Sequence, residues 1–250
     1  MLDPYTPTYI PNRRVALYSH DTMGLGHTRR NMLIAEVLAR SPLNADVLLI
    51  TGSRTASHFP MPAGVDCVTL PALHKDATGS YSAKTLDLPT NEIMHLRSTL
   101  IGAALTSFRP DVFIVDKVPA GALGELREVL PRLSQRGVKL VLGVRDILDD
   151  PESVRADWAT PQNVLLIGEV YDEVWVYGDP NVYDLAADCA FPPAITERLH
   201  YLGFLDPRER GVTALDEQPF RPYPYSLCMV GGGQDGATLA ETFARASYPE

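Results

Sequence analysis

The chain has 250 residues, 45% of them apolar and 21% charged. That balance is globular and excludes general disorder. At about 150 residues per domain the length allows one to two domains with at least one large core. With 22 basic against 31 acidic residues the net charge is −9, which excludes the overall positive footprint of a nucleic-acid binder.

The opening MLDPYTPTYIPNRR has three prolines and no apolar core segment, so it reads as a lead-in rather than a signal peptide. Val15–Ser19 is the first predicted strand. A helix begins near His27 and runs to Arg40, with Met32, Leu33, Ala35, Val37, Leu38 and Ala39 on its apolar face. Asp46–Thr51 and Asp66–Leu70 are further strands. The segment Leu73–Asn91 is long and polar, suited to an acceptor loop. Glu92–Phe108 is a long helix that must stop before Arg109–Pro110. Asp111–Val115 is a strand, Ala120–Leu133 a helix with Pro131 near its end, and Lys139–Val144 and Glu173–Tyr177 are strands. Strands apolar on both faces and separated by helices specify an α/β, doubly wound, Rossmann-like parallel sheet over residues 13–205.

Residues 206–225 hold four prolines and seven charged residues, the composition of a linker. Ser226–Val230 then reads as a strand, Gly231–Gly236 as a glycine loop and Ala237–Ala246 as a helix. Residues 226–250 therefore read as the start of a second, incomplete α/β domain. A lone strand–helix unit cannot bury its own sheet faces. The expectation is a longer protein of which this is the front part; otherwise the unit packs on the first domain. No apolar run approaches the ~18–20 residues that span a bilayer. Cys67, Cys189 and Cys228 form no CxxC and no disulfide framework, which points to core cysteines in a reducing, cytoplasmic setting.

The loop His20-Asp-Thr-Met-Gly-Leu-Gly-His27-Thr-Arg-Arg30 joins the first strand to the first helix. In a doubly wound sheet it lies at the carboxyl edge, beside the topological switch point where ligands bind. Gly24 and Gly26 permit close backbone approach. The helix N-terminus supplies free N–H groups, and Arg29 and Arg30 add cations. The spacing is neither GxGxxG nor a P-loop. One reading is a tight turn with a capping His. The other presents His27 as a base, because a helix N-terminus disfavours the imidazolium. In a 3-2-1-4-5 strand order the first strand neighbours the fourth, at whose end stands Asp116. It is either the carboxylate that orients His27 or a solvated or capping acid. His20 is a second candidate base, or simply lines the loop.

In the second loop Gly232, Gly233, Gln234 and Gly236 suit contacts with a diphosphate. A plain turn is the competing reading. Asp235 would repel a phosphate and suits a helix cap or a sugar hydroxyl. Asp146, Asp149 and Asp150 read as a polar loop. His58, His74, His95 and His200 read as structural, and Trp158 and Trp175 as packing residues. No DxD, HExxH or Cys/His cluster occurs, so no metal is expected.

GLGHTRRNMLIAEVLA (24–39) and VGGGQDGATLAETF (230–243) resemble the two loop–helix segments that open the acceptor and donor domains of GT-B glycosyltransferases, especially the MurG-type. The first is also similar to the loop of the nucleotide-sugar hydrolase of pseudaminic acid synthesis. The resemblance implies a cytoplasmic hexosyltransferase that uses a nucleotide sugar such as a UDP-sugar as co-substrate and no cofactor. Its acceptor would be small or lipid-linked, with peripheral membrane contact in the latter case. His27 matches the loop histidine with a base or acceptor-binding role. Asp116 loosely matches the acid paired with the base in plant-type relatives, and Gly232, Gly233, Gln234 and Gly236 match the donor-diphosphate segment. Gly233 and Asp235 replace the usual Ser and Gly. The implied reaction is inverting and metal-independent. A nucleotide-sugar hydrolase or epimerase, or a binding module without turnover, uses the same scaffold.

Overall fold

The computed structural model describes residues 12–21, 24–76, 79–209, 225–230 and 236–247. Strand β1 (Arg14–Ser19) leads into helix α1 (Gly26–Arg40), then β2 (Asp46–Thr51) and β3 (Val65–Thr69). A short hairpin, β4 (Leu73–Lys75) and β5 (Tyr81–Ala83), precedes α2 (Thr90–Phe108) and β6 (Val112–Asp116). Next come α3 (Val129–Gln135), β7 (Lys139–Arg145), α4 (Pro151–Trp158) and α5 (Pro161–Leu165). The domain closes with β8 (Glu173–Tyr177), α6 (Leu185–Cys189), α7 (Pro193–Thr196) and β9 (Leu199–Tyr201); α8 (Ala237–Arg245) lies beyond it.

One sheet of seven strands, ordered β3-β2-β1-β6-β7-β8-β9, carries the fold. Its neighbouring strands all pair parallel. This is the expected 3-2-1-4-5 order with two strands added. The alternation along β1 shows why every strand reads as a continuous apolar run. Val15 and Leu17 pack with Ile34, Ala35 and Ala39 of α1 on one face. Ala16 and Tyr18 pack on the other face with Ile101 and Leu105 of α2 and Leu130 and Leu133 of α3. Residues Ile93, Arg97, Ile101 and Leu105 form the buried stripe of α2, one residue per helical turn.

Several expectations need correction. The helix read over Ala120–Leu133 is broken: a 3₁₀ turn at Ala122–Gly124 precedes α3, with Leu123 in the left-handed region at φ 50°. Pro131 sits in the first turn of α3, where a missing N–H costs little. The polar segment 73–91 contains the β4–β5 hairpin, with the Lys75 ammonium 5.4 Å from the centre of the Tyr81 ring. The strand expected at Ser226–Val230 does not form; these residues are mostly exposed and irregular, since no neighbouring strand supplies a ladder. Helix α8 does form, and none of its described residues is buried. The linker shows a 3₁₀ turn at Pro207–Glu209; residues 210–224 lie outside the described set. Asp150 caps α4 by accepting from the Ser153 N–H at 3.1 Å, ahead of Pro151. Trp158 is core, stacked on Phe191 with ring centres 4.7 Å apart. Among the described residues no helix is long and apolar enough to cross a membrane.

Candidate active site

β1 and β6 are adjacent, and the chain leaves them toward opposite ends of the sheet. The crevice outside their carboxyl ends is the switch point of the fold. His27 enters it from the first turn of α1, and Asp116 is the last residue of β6. The His27 Nδ1 lies 2.5 Å from Asp116 Oδ2. A carboxylate can only accept there, so the pairing puts a proton on Nδ1 and, in the neutral imidazole, leaves the Nε2 lone pair free; the Arg30 Nη2 also lies 3.0 Å from Nδ1. His27 retains 22% side-chain exposure against 2% for Asp116, so the imidazole is reachable and its partner is not.

Arg30, one turn further along α1, donates to Asp116 Oδ1 from Nε (3.1 Å) and Nη2 (2.5 Å). Its guanidinium also lies 5.8 Å from the centre of the Tyr177 ring. Burial pushes the Asp116 carboxyl up, but the His27 hydrogen bond and the Arg30 charge outweigh it and hold the group below its usual range. Asp116 thus stays ionised at neutral pH. Arg29 is exposed.

The loop itself is held by Asp21, a residue without a predicted role. Its buried carboxylate accepts hydroxyls from Ser19, from Thr28 at 2.9 Å and from Thr51 at 2.6 Å. These bonds tie together the ends of β1 and β2 and the start of α1. The only sequence signal was an acid amid glycines followed by Thr28. Asp21 and Gly24 take left-handed φ values of 43° and 69°, and Gly26 has open space where a Cβ would stand.

His20 is buried, with its ring centre 5.0 Å from that of His27. Its carbonyl rests on Gly52, where an added Cβ would come within 2.1 Å of the oxygen. Gly52→Ala is therefore expected to cost about 1–3 kcal/mol by overpacking, seen as a lower urea midpoint. Burial first, then the nearby His27, lowers the His20 pKa from 6.5 to about 3. A lowered pKa means the unfolded chain binds the extra proton. The stability contribution is thus complete above pH ~6.5 and is lost on acidification toward pH 3, at up to about 1.4 kcal/mol per pH unit. His20→Phe is expected to flatten that part of the stability–pH curve, measured by urea titration between pH 4 and 7.

Beside Asp116, Lys117 lines a cavity of about 240 Å³ with Leu148, Asp149, Ser153, Asp157 and Trp158. A cavity of about 680 Å³ between α2 and α3 includes no residue of the first loop. In the second loop Gly236 caps α8 and packs on Val230; Gly232, Gly233 and Gln234 lie outside the described residues. Among the described residues no group of three His, Cys, Asp or Glu is placed to hold a metal.

This architecture is the Rossmann-like fold of GT-B glycosyltransferases. The chain is similar to Phytolacca americana UGT2, solved with UDP-2fluoro-glucose and pterostilbene, with a TM-score of 0.50 and 12% identity over 77% of this chain and 53% of that one. It also matches a glycosyltransferase from Rickettsia africae (TM-score 0.47, 9% identity, 78% of this chain and 43% of that one). A third match is the glycosyltransferase of kitacinnamycin (TM-score 0.48, 16% identity, 85% and 56%). The chain spans about half the length of these solved structures. No protein-family model matches the sequence, and no curated protein matches it.

Proposed function

We propose that this chain carries the acceptor-side half of an inverting, metal-independent glycosyltransferase that takes a nucleoside-diphosphate sugar as donor. The observation that carries the reading is the His27–Asp116 pair, 2.5 Å apart at the switch point. An acceptor hydroxyl gives its proton to His27 Nε2 as its oxygen bonds the anomeric carbon. The bond from that carbon to the diphosphate breaks, and the electron pair leaves with the diphosphate. The new charge on His27 is met by Asp116, which Arg30 holds in place. General-base catalysis of this kind contributes about 10²–10⁴-fold. The backbone amides of residues 232–236 and the start of α8 are the proposed seat of the leaving diphosphate, which would do the work of a cation. The UDP-sugar bound by UGT2 makes UDP the first donor nucleotide to test, and the loop motifs favour MurG-type chemistry in the cytoplasm.

Hydrolysis differs only in that water replaces the alcohol at His27. Incubating the full chain with UDP-glucose, with and without a phenolic acceptor, separates the readings. Acceptor-dependent UDP release with glycoside formation is the expected result. Equal release without acceptor makes it a hydrolase, and no release together with measurable binding of UDP-glucose makes it a binding module.

A further inference from the structure

We propose that the cavity of about 240 Å³ beside Lys117 seats a sugar ring of the acceptor, so that the attacking hydroxyl belongs to a carbohydrate. The proposal deepens the reading of the chain as a glycosyltransferase and rests on it for the reaction. Binding in the cavity is measured without turnover.

The cavity adjoins the candidate site. Lys117 directly follows Asp116, and its N–H donates to the Gly143 carbonyl at 2.9 Å. The cavity therefore sits at the carboxyl ends of β6 and β7, the edge of the sheet on which His27 stands. Helix α4 supplies Ser153, Val154 and Asp157 to its wall. Val154 packs in the core layer that α2 and α3 share, whereas α1 covers the other face of the sheet. A ring in the cavity thus lies across the strand ends from His27, and the rest of the acceptor reaches His27 over Asp116.

The wall carries one cation, Lys117, and two carboxylates, Asp149 and Asp157. None of the three takes part in an ion pair among the described residues. Asp149 Oδ1 accepts from the Asp150 N–H at 3.0 Å, and Asp157 Oδ1 lies 3.4 Å from Asn163 Nδ2. The Oδ2 of each has no hydrogen bond among the described residues. Lys117 is half-buried. Burial, then the Arg145 charge, lowers its pKa against the pull of Asp149. Its backbone is also strained: φ is 65°, in a three-residue turn closed by the Val118 N–H on the Asp116 carbonyl at 2.8 Å. Such strain in a residue with a Cβ marks functional positions, and here it falls on the one cation of the wall.

This wall matches one ligand chemistry. Two carboxylates repel an anion, and the ammonium repels a cation. Opposite charges held apart suit a neutral group whose hydroxyls donate to carboxylates and accept from the ammonium. The Ser153 hydroxyl donates to Asp150 Oδ2 at 3.2 Å and keeps its own oxygen to accept a further bond. Leu148 and Val154 give the wall an apolar part, which suits the C–H face of a ring. The volume is below the roughly 300–1,000 Å³ of pockets that take larger organic ligands. One sugar ring meets these conditions. A fused or linked aromatic acceptor is too large and leaves the charged groups unpaired.

The test titrates the full chain with the methyl glycosides of glucose, galactose, mannose and N-acetylglucosamine, followed by amide NMR. At least one is expected to bind, with shifts confined to Lys117, Val118 and residues 148–158. Lys117→Met keeps the aliphatic stem and Asp149→Asn keeps the shape. Each is expected to weaken that binding about 10–100-fold with an unchanged urea midpoint. No binding of any of the four, or binding that both substitutions leave unaltered, overturns the proposal. Turnover supplies the second arm, with UDP-glucose and either lactose, maltose or a simple phenol as acceptor. Lys117→Met is expected to raise KM for the disaccharide that is used and to leave KM for the phenol unmoved. An equal rise for both overturns the sugar seat. Phenol turnover without glycoside binding removes the seat and leaves the transferase reading intact. Glycoside binding in the cavity without any turnover supports the seat and counts against that reading alone.

Discussion

Replacing His27 by alanine is expected to lower nucleotide-sugar turnover by about 10²–10⁴-fold without unfolding the chain. The imidazole is partly exposed, so its loss empties little of the core. Arg30 keeps both hydrogen bonds to Asp116, so no buried carboxylate is stranded. What disappears is the proposed proton acceptor at the switch point. The measurement is kcat/KM for UDP-glucose consumption, together with a thermal melt expected to stay close to that of the wild type. Asp116→Asn is expected to act in the same direction, because the amide leaves the charge on protonated His27 unmet.

The largest stability effect is expected beneath the site rather than in it. The side chains of Arg97 and Glu125 are both 0% exposed. Arg97 donates to Glu125 from Nε at 2.6 Å and from Nη2 at 2.7 Å, and to the Pro71 carbonyl at 2.5 Å. Tyr18 adds its hydroxyl to the same carboxylate and accepts from the Ala122 N–H at 3.1 Å. Glu125→Ala strands the guanidinium in the core and is expected to cost about 3–5 kcal/mol. That is a large share of the stability of an ordinary domain, about 5–15 kcal/mol. An Arg97→Met, Glu125→Leu double variant removes both charges and is expected to recover much of the loss. The urea midpoints of the single and double variants measure both effects, and an additive double variant would show that the pair is not coupled.

Neither residue of that pair was legible in advance. Arg97 stands on the apolar stripe of α2, four residues from Ile93 and from Ile101. Its partner lies 28 residues away, and a sequence pattern carries no long-range pairing. The strands that were legible are those buried on both faces, where burial itself imposes an apolar run. β9 is a three-residue edge strand with an exposed centre and leaves no such trace. The β4 and β5 strands are as short, below the reach of periodicity. The break near Leu123 needed left-handed backbone between two glycines, whereas the composition alone favoured a helix. In the site, strand order placed Asp116 beside His27, because the switch point follows from topology. Arg30's turn toward Asp116, and Asp21's three hydroxyl partners, depend on rotamers that spacing does not encode.

The central claim is that His27, oriented by Asp116, takes a proton from the attacking hydroxyl. Chemical rescue tests it most directly: UDP-glucose turnover by the His27→Ala variant, measured against added imidazole. The account predicts a slow rate that rises with imidazole toward that of the wild type, because the free base fills the vacated place. A variant that turns over at the wild-type rate and ignores imidazole would contradict it.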